Sequence, residues 1–217
     1  MKTLMTVLLW AATWVGYAQT QVTESANVGK QQLLQLNFDF ADEITIQTWD
    51  KNEVYVEVRV SINDGEYDHI FTLEKAVTEG TITISMDKDM WKKVERTGNN
   101  CSFQSEIVYQ VFLPGQLRVK ANTINGNFIT TPMAREVELK TISGDIDITV
   151  APEKGLDFKA KTISGEIYSD LEIDFPEGKE GLRQVVGMNV RGKINSGVSP
   201  MELETISGNI YLRAGLN

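Results

Sequence analysis

Acidic side chains follow a glycine in a short motif that recurs along the chain, and they are the residues best placed to do chemistry. Asp145 and Asp147 follow one copy of the motif, and Glu166 follows the next. Carboxylates on neighbouring strands can bind Ca²⁺ or form the acid and base pair of a polysaccharide-cleaving enzyme. Two other copies carry Asn127 and Asn209 at this position, which favours solvated outer side chains. We therefore predict no catalytic, cofactor-binding or metal-binding residue, and keep Asp145 and Glu166 as candidate surface-binding residues.

Few other residues suit catalysis or metal binding. His69 is the only histidine and Cys101 the only cysteine, so a histidine-based metal cluster or a Ser/His/Asp triad is thinly supported and no intramolecular disulfide can form. No phosphate-binding loop, CxxC or HExxH motif occurs. Trp91, beside Lys92 and Lys93 in a charged loop, is the most site-like exposed aromatic residue and is kept as a third candidate surface-binding residue. A loop tip, or a cap over the end of the fold, is the favoured interpretation of Trp91.

The motif belongs to an internal repeat with the pattern Thr-Ile-(Ser/Asn)-Gly-polar-(Ile/Phe). Its glycines are spaced 18, 21 and 43 residues apart, and the last step is about two periods. A degenerate unit is therefore expected near residues 185 to 197, with Val186–Gly197 as the candidate. The four clear copies are Leu117–Phe128, Glu136–Ile146, Leu156–Ile167 and Met201–Ile210, and their predicted corner glycines are Gly126, Gly144, Gly165 and Gly208.

Each repeat changes phase in its middle. Apolar residues alternate with polar ones up to Thr141, and from Ile142 onward the apolar set has the opposite parity. Such a slip indicates a bend between two strands, and Ser143–Gly144 supplies residues suited to a corner. Stacked copies would then align one isoleucine from each unit in an inner ladder formed by Ile124, Ile142, Ile163 and Ile206.

This pattern predicts an all-β fold. We favour a right-handed parallel β-helix-like solenoid with coils of roughly 20 residues, in which stacked units bury their apolar faces against one another. The alternative is an antiparallel β-sandwich, because alternation alone cannot separate parallel from antiparallel pairing. We expect one domain over residues 19–217, with a less regular β-rich half at 31–113 and regular repeats at 117–213.

The repeated units resemble those of a bacterial β-strand-repeat family labelled putative adhesins, a domain of unknown function. The resemblance rests on the Thr-Ile-Ser-Gly-(Asp/Glu/Asn)-Ile units and on the ending from Val186 to Leu212. Ile46–Val54 is similar to the N-terminal strand pair of that family. The resemblance covers most of the chain after residue 18 and implies a β-helix-like fold in the bacterial cell envelope.

The N-terminus has the pattern of a cleaved export signal. Lys2 supplies a positive charge, Leu4–Val15 is apolar apart from two threonines, and Gly16–Ala18 offers small residues for signal peptidase. The apolar run is too short to span a bilayer comfortably. We predict a signal peptide over residues 1–18, and a mature chain from Gln19 that lies in the periplasm or at the cell surface without a membrane span.

The charge and the repeat together suggest a class of function. A net charge of -9 argues against nucleic acid or an anionic membrane as partner. We expect an exported, non-catalytic adhesin or interaction scaffold whose partner is an envelope protein or a glycan, with weak self-association at an uncovered end of the stack. The alternative is a carbohydrate-active or Ca²⁺-dependent glycan-binding protein, which would require Asp145 and Glu166 to converge in a groove.

Overall fold

The all-β prediction is confirmed by the computed structural model, which describes residues 19–93, 104–133, 136–151, 153, 155–175, 187–195 and 197–215. The predicted signal peptide, Cys101 and Val186 lie outside these residues. Two 3₁₀ turns, Asp68–Ile70 and Met90–Lys93, accompany the strands, and no described helix is long and apolar enough to cross a membrane. The strands are β1 (Thr20–Asn27), β2 (Leu33–Asn37), β3 (Phe40–Trp49), β4 (Glu53–Ile62), β5 (Leu73–Val77), β6 (Thr81–Met86), β7 (Ser105–Pro114), β8 (Arg118–Thr130), β9 (Val137–Ser143), β10 (Ile146–Val150), β11 (Leu156–Ser164), β12 (Ile167–Ser169), β13 (Met188–Ile194), β14 (Ser199–Ser207) and β15 (Ile210–Ala214).

The repeats form bent units, each with two arms that meet at a corner. β8 bends at Gly126, and β9–β10, β11–β12 and β14–β15 make the equivalent bend between two strands. We call the strand segments before the corner the first arm and those after it the second arm. Adjacent units pair in parallel in both arms, as β8-β9-β14-β11 and as β8-β10-β15-β12.

The stacking order does not follow the chain. The unit of β14–β15 lies between those of β9–β10 and β11–β12. At one register position this order separates like charges, because direct pairing of β9 with β11 in the same register would place Lys140 beside Lys161. Glu204 of β14 is instead the register partner of both lysines, and its Oε1 lies 2.6 Å from Lys161 Nζ. Opposite charges on adjacent strands stabilise a sheet, and like charges destabilise it.

A fifth bent unit, without the motif, lies in the half of the chain predicted to be less regular. β2 pairs in parallel with the first arm of β8, matching Leu36 with Ala121. β3 pairs in parallel with its second arm, matching Ile44 with Phe128. The corner between them contains Phe38, which is fully buried, so the same bend is achieved without the threonine and glycine of the repeats.

Antiparallel strands flank the stack at both ends. At one end β7 pairs in parallel with β3 in the second arm, and β4 and then β1 continue the sheet antiparallel. In the first arm β6 pairs in parallel with β2, and β5 follows it antiparallel. The edges of β1 and β5 meet where Lys75 Nζ lies 2.6 Å from Glu24 Oε1. At the other end β13 pairs antiparallel with β11. The sheet is therefore mixed and does not close on itself.

The prediction that residues 186–197 form a degenerate repeat unit is wrong for the part that the structure describes. Met188–Ile194 is a single antiparallel strand, β13, with no corner of its own. β13 can pack this closely because residue 192 is a glycine. A Cβ at Gly192 would lie 2.5 Å from Ile173 Cγ2 and 3.0 Å from Phe158 Cε1. The segment covers the edge of β11 and does not add another bent unit.

The inward side chains of both arms form one hydrophobic core. Leu139 on the first arm and Ile146 and Ile148 on the second are at most 1% exposed and belong to the same cluster. Stacking of the units is therefore what removes their apolar residues from water, as expected for a repeat whose single unit has no core of its own.

The predicted inner ladder of isoleucines is wrong. Ile142 is 47% exposed, whereas Thr141 before it is 3% exposed. The prediction placed the bend between Thr141 and Ile142. In the structure two successive residues, Ile142 and Ser143, are exposed, and the bend follows at Gly144. The exposed fractions of the equivalent residues are 42% each for Ile124, Ile163 and Ile206.

Candidate interaction surface

Buried threonines at the corners link each unit to the next. The Thr141 hydroxyl donates to the Gly126 carbonyl oxygen at 3.2 Å, and the Thr205 hydroxyl donates to the Gly144 carbonyl oxygen at 3.0 Å. Thr162 repeats the contact with the next glycine at 2.9 Å. Each hydroxyl is thus satisfied although its residue is almost fully buried, as buried polar groups require. The threonine of the motif therefore fixes the spacing between neighbouring corners.

The corner glycines stack so closely that no side chain fits between them. A Cβ on Gly144 would lie 2.1 Å from the Gly126 carbonyl oxygen, and one on Gly208 would lie 2.1 Å from that of Gly144. The backbone angle φ is +154° at Gly144 and +155° at Gly208, a region that glycine adopts readily and other residues avoid. A Cβ on Gly165 would similarly lie 2.0 Å from the Gly208 carbonyl oxygen.

The carboxylate of Asp145, predicted to be a surface-binding group, belongs to a ladder of side-chain oxygens. Its Oδ1 accepts a hydrogen bond from the Asn209 amide nitrogen at 2.7 Å. Asn127 Oδ1 accepts from the Asp145 amide at 2.8 Å, and Asn209 Oδ1 accepts from the Glu166 amide at 2.9 Å. Asp and Asn offer the same acceptor, which explains why both occur after the corner glycine.

The structure does not bring Asp145 and Glu166 together as a pair. The unit that carries Asn209 lies between theirs, so they are two strand spacings apart, roughly 10 Å. The single N–H of Arg213 Nε is shared between the two carboxylate oxygens of Asp147, at 2.7 and 2.9 Å. Among the described residues, no group of three or more His, Cys, Asp and Glu side chains is arranged to hold a metal ion.

Trp91, the other predicted surface-binding residue, is only partly exposed. It lies in the 3₁₀ turn Met90–Lys93 and packs against the hydrophobic core. Its ring meets the Phe40 ring edge-on, with a centroid distance of 5.6 Å. The structure thus places Trp91 in packing beside a corner, and it lies apart from Asp145 and Glu166 in the sequence and in the stack.

Two aromatic groups that the sequence analysis missed lie on the outer face of the second arm. One is the stacked tyrosine pair at the β12 edge, Tyr168 and Tyr211, with ring centroids 5.3 Å apart and an angle of 9° between the rings. Tyr168 is 47% exposed, and its hydroxyl donates to Glu166, which raises the pKa of Tyr168 above its usual value. The Arg213 guanidinium lies 5.2 Å from the centre of the Tyr211 ring.

The second group lies farther along the same face. Trp49 and Phe112 have ring centroids 5.2 Å apart, and Tyr55 lies 6.1 Å from Trp49. Lys51 Nζ is 4.4 Å from the Trp49 ring centre, and Trp49 Nε1 donates to the Glu53 carbonyl oxygen at 2.7 Å. We call Trp49, Tyr55 and Phe112 the N-terminal aromatic cluster.

A continuous row of outward side chains extends from the tyrosine pair toward this cluster. The strand pairings place one residue from each of seven strands in register, across roughly 30 Å of sheet. Ile129, near the middle of the row, is 40% exposed. The row contains Tyr168, Tyr211, Asp147, Ile129, Thr45, Gln110 and Glu57.

The outer face of the first arm differs, because its charged side chains are largely paired with one another, both within a strand and across strands. Glu138 Oε1 lies 2.8 Å from Lys140 Nζ and 3.1 Å from Lys120 Nζ. Partial burial raises the pKa of Glu138, but hydrogen bonds from the two ammonium groups lower it below its usual value on balance. Near this network an open depression of about 370 Å³ is lined by residues that include Asp157 and Arg191.

The aromatic groups could be found in the sequence only once the strand neighbours are known. Alternation places Tyr211 outside between the buried Ile210 and Leu212, but it gives no sign that Tyr168, which precedes it by more than forty residues, is its register partner. The same applies to Trp49 and Phe112, which meet only because β3 pairs with β7.

Comparisons with known proteins identify relatives by fold alone. No protein-family model and no curated protein matches the chain. A solved structure called a putative cell adhesion protein, from Clostridium sporogenes, is similar over 91% of this chain and 100% of its own, with a TM-score of 0.58 and 12% identity. Weaker similarities are to a putative adhesin from Parabacteroides distasonis (TM-score 0.41, 15% identity, 70% and 57% of the two chains) and one from Bacteroides fragilis (0.35, 8%, 90% and 97%). The first similarity shows that the chain shares its fold with a bacterial protein of that name.

Proposed function

We propose that this chain is an exported, non-catalytic interaction protein of the bacterial cell envelope with an adhesin-like role. The observation that carries the proposal is the outer face of the second arm, where an extended in-register row begins at the tyrosine pair and runs toward the N-terminal aromatic cluster. The partner is an envelope protein or a glycan that lies across the strands. The name of the Clostridium sporogenes protein with this fold is consistent with that role.

The bent units form a right-handed β-helix-like solenoid in this proposal. Parallel pairing of adjacent units in both arms supports it, as do the corner glycines and threonines that repeat from unit to unit. Solenoids of this kind present long regular faces on which successive units contribute equivalent side chains. The outer face of the second arm has this character.

Composition supports a binding role for the face. Tyrosine, tryptophan and arginine are enriched in the centres of protein interfaces because they provide large contact areas together with polar groups. Tyr168, Tyr211 and Arg213 combine these properties at one end of the row, and Ile129 adds an exposed apolar side chain beside Asp147. The candidate acidic residues support a non-catalytic role, because Asp145 is engaged in the corner ladder.

A second candidate function is glycan binding without a protein partner, and the tyrosine pair favours it. Tyr168 stacks on Tyr211, lies on the edge strand β12, and stays 47% exposed. Glu166 next to it is an acceptor for sugar hydroxyls. This second candidate function covers both a Ca²⁺-dependent glycan-binding protein and a carbohydrate-active protein. In either case the glycan would bind at the β12 end of the row.

The test uses the chain from Gln19, which retains every described strand. Beads coated with the protein are measured for adhesion to immobilised envelope proteins and to a glycan array, with and without Ca²⁺. Y168S/Y211S should reduce adhesion at least about tenfold, whereas R118S, on the first arm, should leave it unchanged. Equal adhesion by Y168S/Y211S would remove the face from the proposal. Release of reducing sugars from any bound polysaccharide would overturn the non-catalytic assignment.

A further inference from the structure

Four isoleucines stand exposed along the corners of the stacked units. Because the units are in register through the threonines before them, the isoleucines follow one another along the corner in the stacking order of the units. Neighbouring strands are roughly 4.8 Å apart, so the line is roughly 15 Å long. We call Ile124, Ile142, Ile206 and Ile163, in this spatial order, the isoleucine ridge.

The internal repetition of the ridge requires an explanation that folding does not provide. Every unit with the motif keeps isoleucine at this position, although each side chain is 42–47% exposed. The outward position two residues earlier varies among Asn122, Lys140, Glu204 and Lys161. A threonine would serve the strand equally well without exposing apolar surface. A repeated, exposed apolar line bordered by polar residues is typical of a contact surface.

The charges beside the ridge are arranged to match a second copy of it. The residues two positions before the isoleucines lie along one side of the ridge, in the spatial order Asn122, Lys140, Glu204 and Lys161. When two ridges meet antiparallel about a two-fold axis, this side faces itself in reverse order. Lys140 then faces Glu204 of the second copy, Glu204 faces its Lys140, and Asn122 faces its Lys161. A parallel arrangement lacks these opposite-charge pairs.

We propose that the isoleucine ridge is a self-association surface, on which two copies of this chain pack antiparallel about a two-fold axis. Closed two-fold contacts are the commonest symmetry among homo-oligomers, and each patch then needs only to complement itself. In this arrangement Ile142 packs beside Ile206 of the second copy, and Ile124 packs beside its Ile163. The other side of the ridge places Asn125, Ser143, Ser207 and Ser164 opposite one another, with no charge to separate them.

The ridge is narrow, which sets the strength of association. Four partly exposed isoleucines cover far less than the roughly 800 Å² per partner of a standard stable interface. The pairing is therefore weak in dilute solution and becomes effective when many copies are concentrated on one surface. This contact uses the corner and leaves the outer face of the second arm free, so it is independent of the proposed function.

The first experiment measures mass against concentration by analytical ultracentrifugation of the chain from Gln19. The wild type should shift toward a dimer between roughly 10 μM and 1 mM, and I142T/I206T should remain monomeric with an unchanged circular dichroism spectrum. I129T is the matched control, because Ile129 is 40% exposed on another face and its loss should leave the dimer intact. A wild type that stays monomeric, or a dimer that survives I142T/I206T, would overturn the proposal.

The second experiment tests the antiparallel register. K140E and E204K should each weaken dimerisation several-fold, and K140E/E204K should restore it because the two charges exchange places. In chains whose Cys101 is replaced by serine, a mixture of I142C and I206C should form disulfide-linked heterodimers faster than I142C alone. Equal cross-linking in the mixture and in I142C alone would refute the register, and cross-linking of I129C at the same rate would refute the ridge as the contact.

Discussion

The corner of β2–β3 and the corners of the repeated units make the same bend with different chemistry. In the repeats a buried threonine hydroxyl and a stacked glycine form the corner, as with Thr141 and Gly126. In the β2–β3 unit Phe38 occupies the inward position, with its ring centroid 4.1 Å from that of Tyr109. Stacking in register therefore requires a filled and satisfied corner, which either hydrogen bonds or an aromatic ring can provide.

The largest effect should come from filling the glycine stack. Gly144→Ala places a Cβ within 2.1 Å of the Gly126 carbonyl oxygen, and backbone atoms cannot move aside as the end of a flexible side chain can. We expect the free energy of unfolding to fall by at least about 4 kcal/mol, at the upper end for single substitutions. Urea denaturation measures this. G80A is the control, because nothing lies within 4 Å of the position of its Cβ, and a loss as large in G80A would show that the stack is not the cause.

The aromatic corner should be nearly as sensitive. Phe38→Ala leaves a cavity beside Tyr109 in a fully buried site, and we expect a loss of about 3–4 kcal/mol in the free energy of unfolding. The measurement is again urea denaturation, with Phe40→Ala as control because Phe40 is 37% exposed. Similar losses in the two variants would mean that the ring at Phe38 is not what supports the corner.

Removing one corner hydroxyl should have a moderate effect. Thr141→Val keeps the shape of the side chain but leaves the Gly126 carbonyl oxygen without this donor, at a cost of about 1–2 kcal/mol. Thr141→Ser retains the hydroxyl and should recover part of the loss in thermal unfolding measurements. If valine and serine destabilise the protein equally, the hydrogen bond is not what the motif preserves.

The smallest effect should come from acidification of the ion pairs on the first arm. The hydrogen bond from Lys161 lowers the pKa of Glu204 below its ordinary value of 4.5, so the folded chain binds this proton less readily than the unfolded chain. The stabilisation is complete above that ordinary value and is lost as the pH falls through the lowered pKa.

The groups of this pair are partly exposed, so we expect a contribution below about 1 kcal/mol. Glu204→Gln should lower stability slightly near neutral pH, and the difference from wild type should shrink near pH 3, as measured by urea denaturation at both values. A difference that grows in acid would contradict the sign of the shift.

The all-β class could be predicted from the alternation of apolar and polar residues, because this alternation depends only on residues that are close together in the sequence. Ile142 was misplaced because a change of parity shows that a bend exists but does not show on which side of the bend each neighbour lies. The β2–β3 unit was missed because Phe38 hides the equivalence to Thr123. The contact between Tyr168 and Tyr211 and the contact between Trp49 and Phe112 were also missed. Both depend on which strands pair with each other over long separations in the sequence.

The insertion of β14 between β9 and β11 has a consequence for the order in which the chain can fold. Repeat units that stack in chain order can be added one at a time as the chain lengthens. Here β9 and β11 cannot complete their shared edges until residues 199–207 of β14 are present. The second and third repeats therefore depend on pairing with a strand that is distant in the sequence, and long-range pairing of this kind makes the final step of folding slow.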